Sequence, residues 1–181
     1  MDPTCPEGDL IELTVQNEAA FEAFLSEFDQ CPDELHGYFF ERQMPIQDVV
    51  RSLREHARGE GLPSGWVPSS TWFWLVNGAL AGVINVRHQL TPALEAMGGH
   101  VGYCVAPSYR RKGIATRMLK ATLSRCPELG ISRVLVTCDA ENRGSIGTIE
   151  ANAGVLAHEG TSWGDHTLER RSRWYWIALL E

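Results

Sequence analysis

The chain has 181 residues, 44% hydrophobic and 22% charged, with a formal net charge of −7. This is the make-up of one globular domain, residues 1–181, with room for a substantial core. The negative balance argues against a nucleic-acid partner, whose phosphates demand surplus Lys and Arg, and no apolar run is long enough to span a bilayer.

The five cysteines are Cys5, Cys31, Cys104, Cys126 and Cys138. They are odd in number, scattered and free of any CxxC, which argues against a disulfide framework and against zinc, so no metal site is expected. The opening MDPTCPEGDL lacks the basic and apolar regions of a signal peptide, which predicts a cytoplasmic protein.

Residues 1–9, with two prolines, read as a disordered arm, and Leu10 to Val15 as a first strand. Phe21, Phe24, Leu25 and Phe28 recur at helical spacing after a plausible cap, Asn17. Residues 29–44 read as a loop carrying Tyr38, Phe39 and Phe40. Pro45 suits a helix start, and Ile46, Val49, Val50, Leu53 and Ala57 mark one helical face. Thr71–Val76 and Leu80–Arg87 are strand-like runs joined through Asn77-Gly78, a strong hairpin signal. Residues 88–99 read as a loop. Arg133–Cys138 is an apolar strand, and Asn142 can cap a helix carrying Ile146, Ile149 and Ala153, with Gly154 as its stop. Val155–His158 reads as a short strand, Gly160–Ser172 as a polar loop, and Trp174–Leu179 as the last strand.

Between these elements lies VGYCVAPSYRRKGIATRMLKAT, residues 101–122. Val101, Tyr103 and Val105 alternate as in a strand. Pro107, with no N–H to donate, ends it. Gly113 opens a helix whose inward face is Ala115, Met118, Leu119, Thr122 and Cys126. Three cations, Arg110, Arg111 and Lys112, precede that glycine. Unpaired N–H groups and the dipole at a helix start favour an anion, and a glycine allows close approach of a diphosphate. The same residues also read as an ordinary basic surface turn.

Arg110-Arg111-Lys112-Gly113-Ile114-Ala115 fits Arg/Gln-x-x-Gly-x-Gly/Ala, and Val105-Ala106-Pro107 fits the strand end before it. In these residues the chain resembles the GNAT family of acyl-CoA N-acetyltransferases, from about Val15 onward and most specifically over Val101–Gly154. The look-alikes are small bacterial acetyltransferases, mostly of unassigned substrate. The resemblance implies an α/β fold: a mixed, mostly antiparallel sheet of six or seven strands, flanked by about four helices. Strands four and five, here His100–Val105 and Arg133–Cys138, would splay apart to admit acetyl-CoA.

The resemblance also implies roles. Backbone amides of Arg111, Lys112, Gly113, Ile114 and Ala115, with Thr116, would meet the diphosphate, and the side chains of Arg110–Lys112 would add charge. Cys104 and Val105 backbone groups would pair with the pantetheine arm, and the Val105 N–H would polarise the thioester oxygen. Asn142 matches a family asparagine near the sulfur, with Ser145 three residues on; Asn142 also reads as a plain helix cap. Ile149 stands where many members carry a tyrosine that protonates the leaving thiolate, and Glu150 beside it is a weak substitute. His100 stands where some members place a glutamate base, and an imidazole can do that work; it also reads as a polar strand-entry residue. His88, Glu41, His36 and Asp139 are further candidates. The acceptor is expected to be a small-molecule primary amine, attacked directly in a ternary complex, with a protein or peptide amine, or a catalytically silent acyl-CoA-binding domain, as alternatives. Trp66 and Trp163, in loops, are candidate pocket walls. A homodimer is compatible with all of this.

Overall fold

Asn77 and Gly78 both adopt positive φ, 48° and 83°, the twist that lets strand β2 (Ser69–Val76) double back into β3 (Ala79–Arg87). The structure, a computed structural model, describes residues 7–35, 40, 43–164 and 168–179, with only the backbone of 162–164 and 168–170. His36, Tyr38, Phe39, Glu41, Cys5 and the Trp163 side chain lie outside the described residues.

The hairpin is flanked by β1 (Asp9–Ile11) on one edge and β4 (Val101–Val105) on the other, forming an antiparallel sheet in the order β1-β2-β3-β4. A second antiparallel sheet holds β5 (Arg133–Asp139), β6 (Val155–Gly164) and β7 (Leu168–Ala178) in the order β5-β7-β6. The expected mixed sheet is thus two antiparallel sheets that meet at the edges β4 and β5.

Helix α1 (Glu18–Ser26) and helix α2 (Ile46–Arg58) cover one face of the first sheet. Phe21 and Phe24 meet Phe73 edge-on, with ring centroids 5.8 Å apart in each pair, and Val49, Val50 and Leu53 complete this apolar cluster. Helix α4 (Ile114–Leu123) covers the other face through Ile114, Met118 and Leu119, all at most 1% exposed. Each such side chain contributes roughly 1.5–3 kcal/mol by leaving water. Gly82 of β3 makes the approach of α4 feasible, because a Cβ there would lie 3.2 Å from Met118 Cε. Helix α5 (Arg143–Glu150) packs beside α4, and Asn152 joins the two by donating to the carbonyls of Thr116 and Thr148 at 3.1 and 2.8 Å.

Two expectations need correction. Within Gly160–Ser172 the described residues are strand, not loop: 160–164 belong to β6 and 168–172 to β7, and the two strands pair antiparallel. The polarity of the stretch reflects pairing between exposed strands, where Glu159 takes hydrogen bonds from both Arg171 and Arg173. The loop of residues 88–99 contains a short helix, α3 (Pro92–Ala96), whose N-cap Thr91 accepts from Leu94 N–H. Among the described residues no helix is long and apolar enough to cross a membrane.

Candidate active site

Strands β4 and β5 are held together at one end. The His100 N–H donates to the Leu135 carbonyl at 2.8 Å, and the Leu135 N–H donates to His100 Nδ1 at 2.9 Å. Beyond that junction the strands part. In β4 the Ala106 N–H bonds the Ala81 carbonyl, and the His100 carbonyl accepts from Arg87. Strand alternation therefore turns the N–H and C=O of residues 102 and 104 toward β3, and those of Val101, Tyr103 and Val105 toward the gap. Val105 stands as expected at the gap. Cys104 does not offer its backbone there; Tyr103 does, one residue earlier.

The gap opens into a cleft of about 470 Å³, lined by Tyr103, Cys104 and Val105, by the start of α4 and by the start of α5. Pro107–Tyr109 forms a 3-10 turn, and the chain then enters α4 through Arg111 and Gly113, at φ 62° and 74°. Gly113 is the N-cap, with φ and ψ of 74° and 5°. The left-handed region suits glycine and is costly for arginine, so the turn holds its strained shape against a local preference. Its purpose is visible in what it exposes: the orphan N–H groups of α4, beside Gly113, Ile114, Ala115 and Thr116 on the cleft wall.

The three cations are not equivalent. Lys112 Nζ folds back onto the Ser108 carbonyl at 2.8 Å. Arg110 Nε donates to the Val105 carbonyl at 3.0 Å, and its Nη2 to Glu34 at 2.5 Å. Arg110 and Arg111 line the cleft, whereas Lys112 is not among its lining residues. Carboxylates from the segment after α1 also hold the turn: Glu27 accepts from both the N–H and the hydroxyl of Ser108.

On the opposite wall Asn142 caps α5, its Oδ1 accepting from the Ser145 N–H at 3.0 Å. The cap leaves the amide N–H groups of Asn142 for a ligand. Ser145 Oγ and Tyr103 Oη lie 2.6 Å apart. Burial pushes the Tyr103 phenol up to about 12, so this hydroxyl stays protonated across the physiological range. Thr116 and Thr148 hydroxyls meet at 3.5 Å. Burial likewise pushes the Cys104 thiol up to about 12, which keeps it a thiol and not a nucleophile.

His100 as proton acceptor is corrected by its surroundings. Nδ1 accepts from Leu135, so the neutral ring carries its proton on Nε2 and has no free lone pair. The residue is 7% exposed, its ring sits edge-on to Trp176, and it does not line the cleft. Burial, with Arg87 and Arg133 nearby, lowers its pKa to about 4. His88 is hydrogen-bonded to Ser70 at 2.9 Å and also lies off the cleft; burial lowers its pKa. Asp139 accepts from the Glu141 N–H at the entry to α5. Ile149 is fully buried in the core around Met118 and Tyr175, so this position does not face the cleft, and Glu150 accepts from the Tyr175 hydroxyl. Trp66 is 49% exposed and lies outside the cleft wall.

Sequence reasoning passed over Tyr103, Glu34 and Asn152. A tyrosine in an apolar strand run needs a partner for its hydroxyl, and that need was the available signal for Tyr103. No local pattern marks Glu34, whose contact with Arg110 spans 76 positions.

The family model described as "Acetyltransferase (GNAT) family" matches residues 21–154. Among curated proteins no significant match is found. Among solved structures the chain is similar to a RimL ribosomal L7/L12 alpha-N-protein acetyltransferase in complex with coenzyme A, at 17% identity and a TM-score of 0.69, covering 98% of this chain and 97% of that one. It is similar to a Salmonella typhimurium acetyl transferase that modifies the N-terminal serine of 50S ribosomal subunit protein L7/L12, at 17% identity, a TM-score of 0.66 and 98% of each chain. An N-acetyltransferase from Staphylococcus aureus Mu50 follows at 16% identity and a TM-score of 0.63, covering 96% of this chain and 99% of that one.

Proposed function

The chain belongs to the GNAT acetyltransferase family and is an acetyl-CoA-dependent N-acetyltransferase, and from that premise we propose that its acceptor is the α-amino group of a protein or peptide N-terminus. The observation that carries the site is the gap itself: an unpaired strand edge, Tyr103 to Val105, beside the exposed N-terminus of α4. Acetyl-CoA fits there with its diphosphate against Gly113–Thr116 and its pantetheine arm along Tyr103 and Val105. The Val105 N–H then meets the thioester oxygen, where negative charge develops during attack.

The amine attacks the carbonyl carbon in a ternary complex. The C–N bond forms, the C–S bond breaks, and the proton shed by nitrogen ends, through water, on the sulfur of CoA. Asn142 N–H groups and the Ser145–Tyr103 hydroxyl pair border the departing sulfur and stabilise it by hydrogen bonding.

The acceptor assignment replaces the small-molecule amine favoured from sequence. It is supported by two structural neighbours, one named as an alpha-N-protein acetyltransferase and one as modifying an N-terminal serine. It is supported also by His100, whose lone pair is already committed to Leu135. An α-amino group has a pKa near ~7.7–8.0, so roughly one in ten is neutral at pH 7, against roughly one in a few thousand for a lysine-type amine. It therefore asks less of a protein base. Thiol release and mass spectrometry across three acceptor sets test the reading: peptides with a free N-terminus, Nα-blocked peptides carrying lysine, and small primary amines. Acetylation concentrated in the first set supports it. Turnover confined to either of the others overturns it.

A further inference from the structure

The cleft has two walls of different chemistry. The α4–α5 wall offers N–H and hydroxyl donors. The facing wall includes the 3-10 turn Pro32–Leu35, which brings in Glu34, the one carboxylate among the described residues lining the cleft. Its Oε2 lies 3.9 Å from Cys104 Sγ. Cys104 packs with the apolar cluster under α1 and α2, so Glu34 stands over the face of β4 opposite α4 and α5.

This placement fixes a direction of approach. With diphosphate and pantetheine along the α4 side of the gap, an attacking amine reaches the thioester carbon from the α1–α2 side, past Glu34. A free amine is a cation for most of its time near neutrality, and a carboxylate is the group that recognises it. Glu34 is, however, ion-paired with Arg110, at 2.5 Å, with both side chains about two-fifths exposed. Arg110 also leads into the turn before Gly113, where an incoming diphosphate attracts the same guanidinium.

We propose that Glu34 is the acceptor-recognition residue, held by Arg110 until the cofactor draws that arginine away, and then free to bind the ammonium of the incoming amine. The inference rests on the acetyl-transfer reading above, but not on which amine is used. Acetyl-CoA binds first and uncovers the acceptor site.

Glu34→Gln keeps the shape and removes the charge. For whichever acceptor the wild type turns over best, KM should rise roughly 10- to 100-fold, the worth of one charge-assisted hydrogen bond. CoA alone, titrated by calorimetry, should bind at least as tightly as to wild type, roughly threefold tighter if the ion pair opposes it. Glu34→Asp should recover part of the acceptor KM. An unchanged acceptor KM with unchanged CoA affinity overturns the proposal. Weaker CoA binding with a lower melting temperature assigns Glu34 to holding the turn and overturns it too. Failure of the peptide reading shows differently, as wild-type preference for another amine class, with the Glu34→Gln effect then read on that amine.

Discussion

At one end of the gap between β4 and β5, His100 and Leu135 exchange hydrogen bonds under the Trp176 ring, and Gly99 lets the backbones come so close that a Cβ would lie 2.5 Å from the Leu135 carbonyl. At the other end, five residues on, Val105 turns its N–H into open space, and Gly113 presents a helix end to it. The same strands are sealed in one place and left unpaired in the other. The seal uses buried, satisfied groups and contributes stability. The open end carries unsatisfied donors, which cost stability and supply binding.

Gly113→Glu attacks the open end and should have the largest effect. Strain of about 1–2 kcal/mol from the left-handed backbone adds to a carboxylate facing the diphosphate, so CoA binding should weaken roughly 100-fold or more. Calorimetry checks this, and a wild-type affinity would dismiss Gly113 from the cofactor site. Gly99→Val attacks the sealed end. It should destabilise the fold by about 2–4 kcal/mol and lower Tm by roughly 5–15 °C, while CoA still raises Tm in the variant. Loss of that cofactor shift with an unchanged Tm would invert the comparison.

Ile149→Tyr tests whether the missing acid is a matter of one side chain. Because Ile149 is fully buried, the larger ring should overpack the core, at about 1–3 kcal/mol. Turnover should not rise, and a folded variant with faster thiol release would show that the position reaches the sulfur after all.

The smallest effect at neutral pH is expected from His100→Asn, whose side-chain oxygen can still accept from Leu135. Between pH 6.5 and about 4 the unfolded chain takes up a proton on His100 and the folded protein does not. Stability from this group is therefore present above pH 6.5 and lost as pH falls toward 4. The variant should flatten that stretch of a Tm–pH curve and leave the pH profile of kcat/KM on the wild-type curve. A lost inflection in kcat/KM would restore His100 as the base.

The strand–turn–helix of Val101–Leu123 was legible because its signals are local: Pro107, Gly113, the i, i+3, i+4 apolar face, and Asn142 reaching only to Ser145. Alternation in β4 was equally plain, but its phase was not. Which of Tyr103 and Cys104 faces the gap is decided by the Ala106–Ala81 bond, made across the sheet. The role of His100 is decided by Leu135, 35 positions away. The β6–β7 pairing was missed because its charges read as solvent until Glu159 is seen opposite Arg173.

The bonds that close the cradle also differ in reach. His100 to Leu135 closes a span of 35 positions and Gly98 to Thr137 one of 39, while Glu34 to Arg110 closes 76. Each doubling of a flexible loop costs only about 0.6 kcal/mol in closure entropy, so the longer span adds little to the bill of folding. It leaves the two walls separable in heredity. The β4–α4–β5 crossover sets the donor side within one short stretch of chain, whereas the acceptor side is borrowed from a distant turn. Substitutions in that turn can retune which amine is accepted without rebuilding the grip on acetyl-CoA.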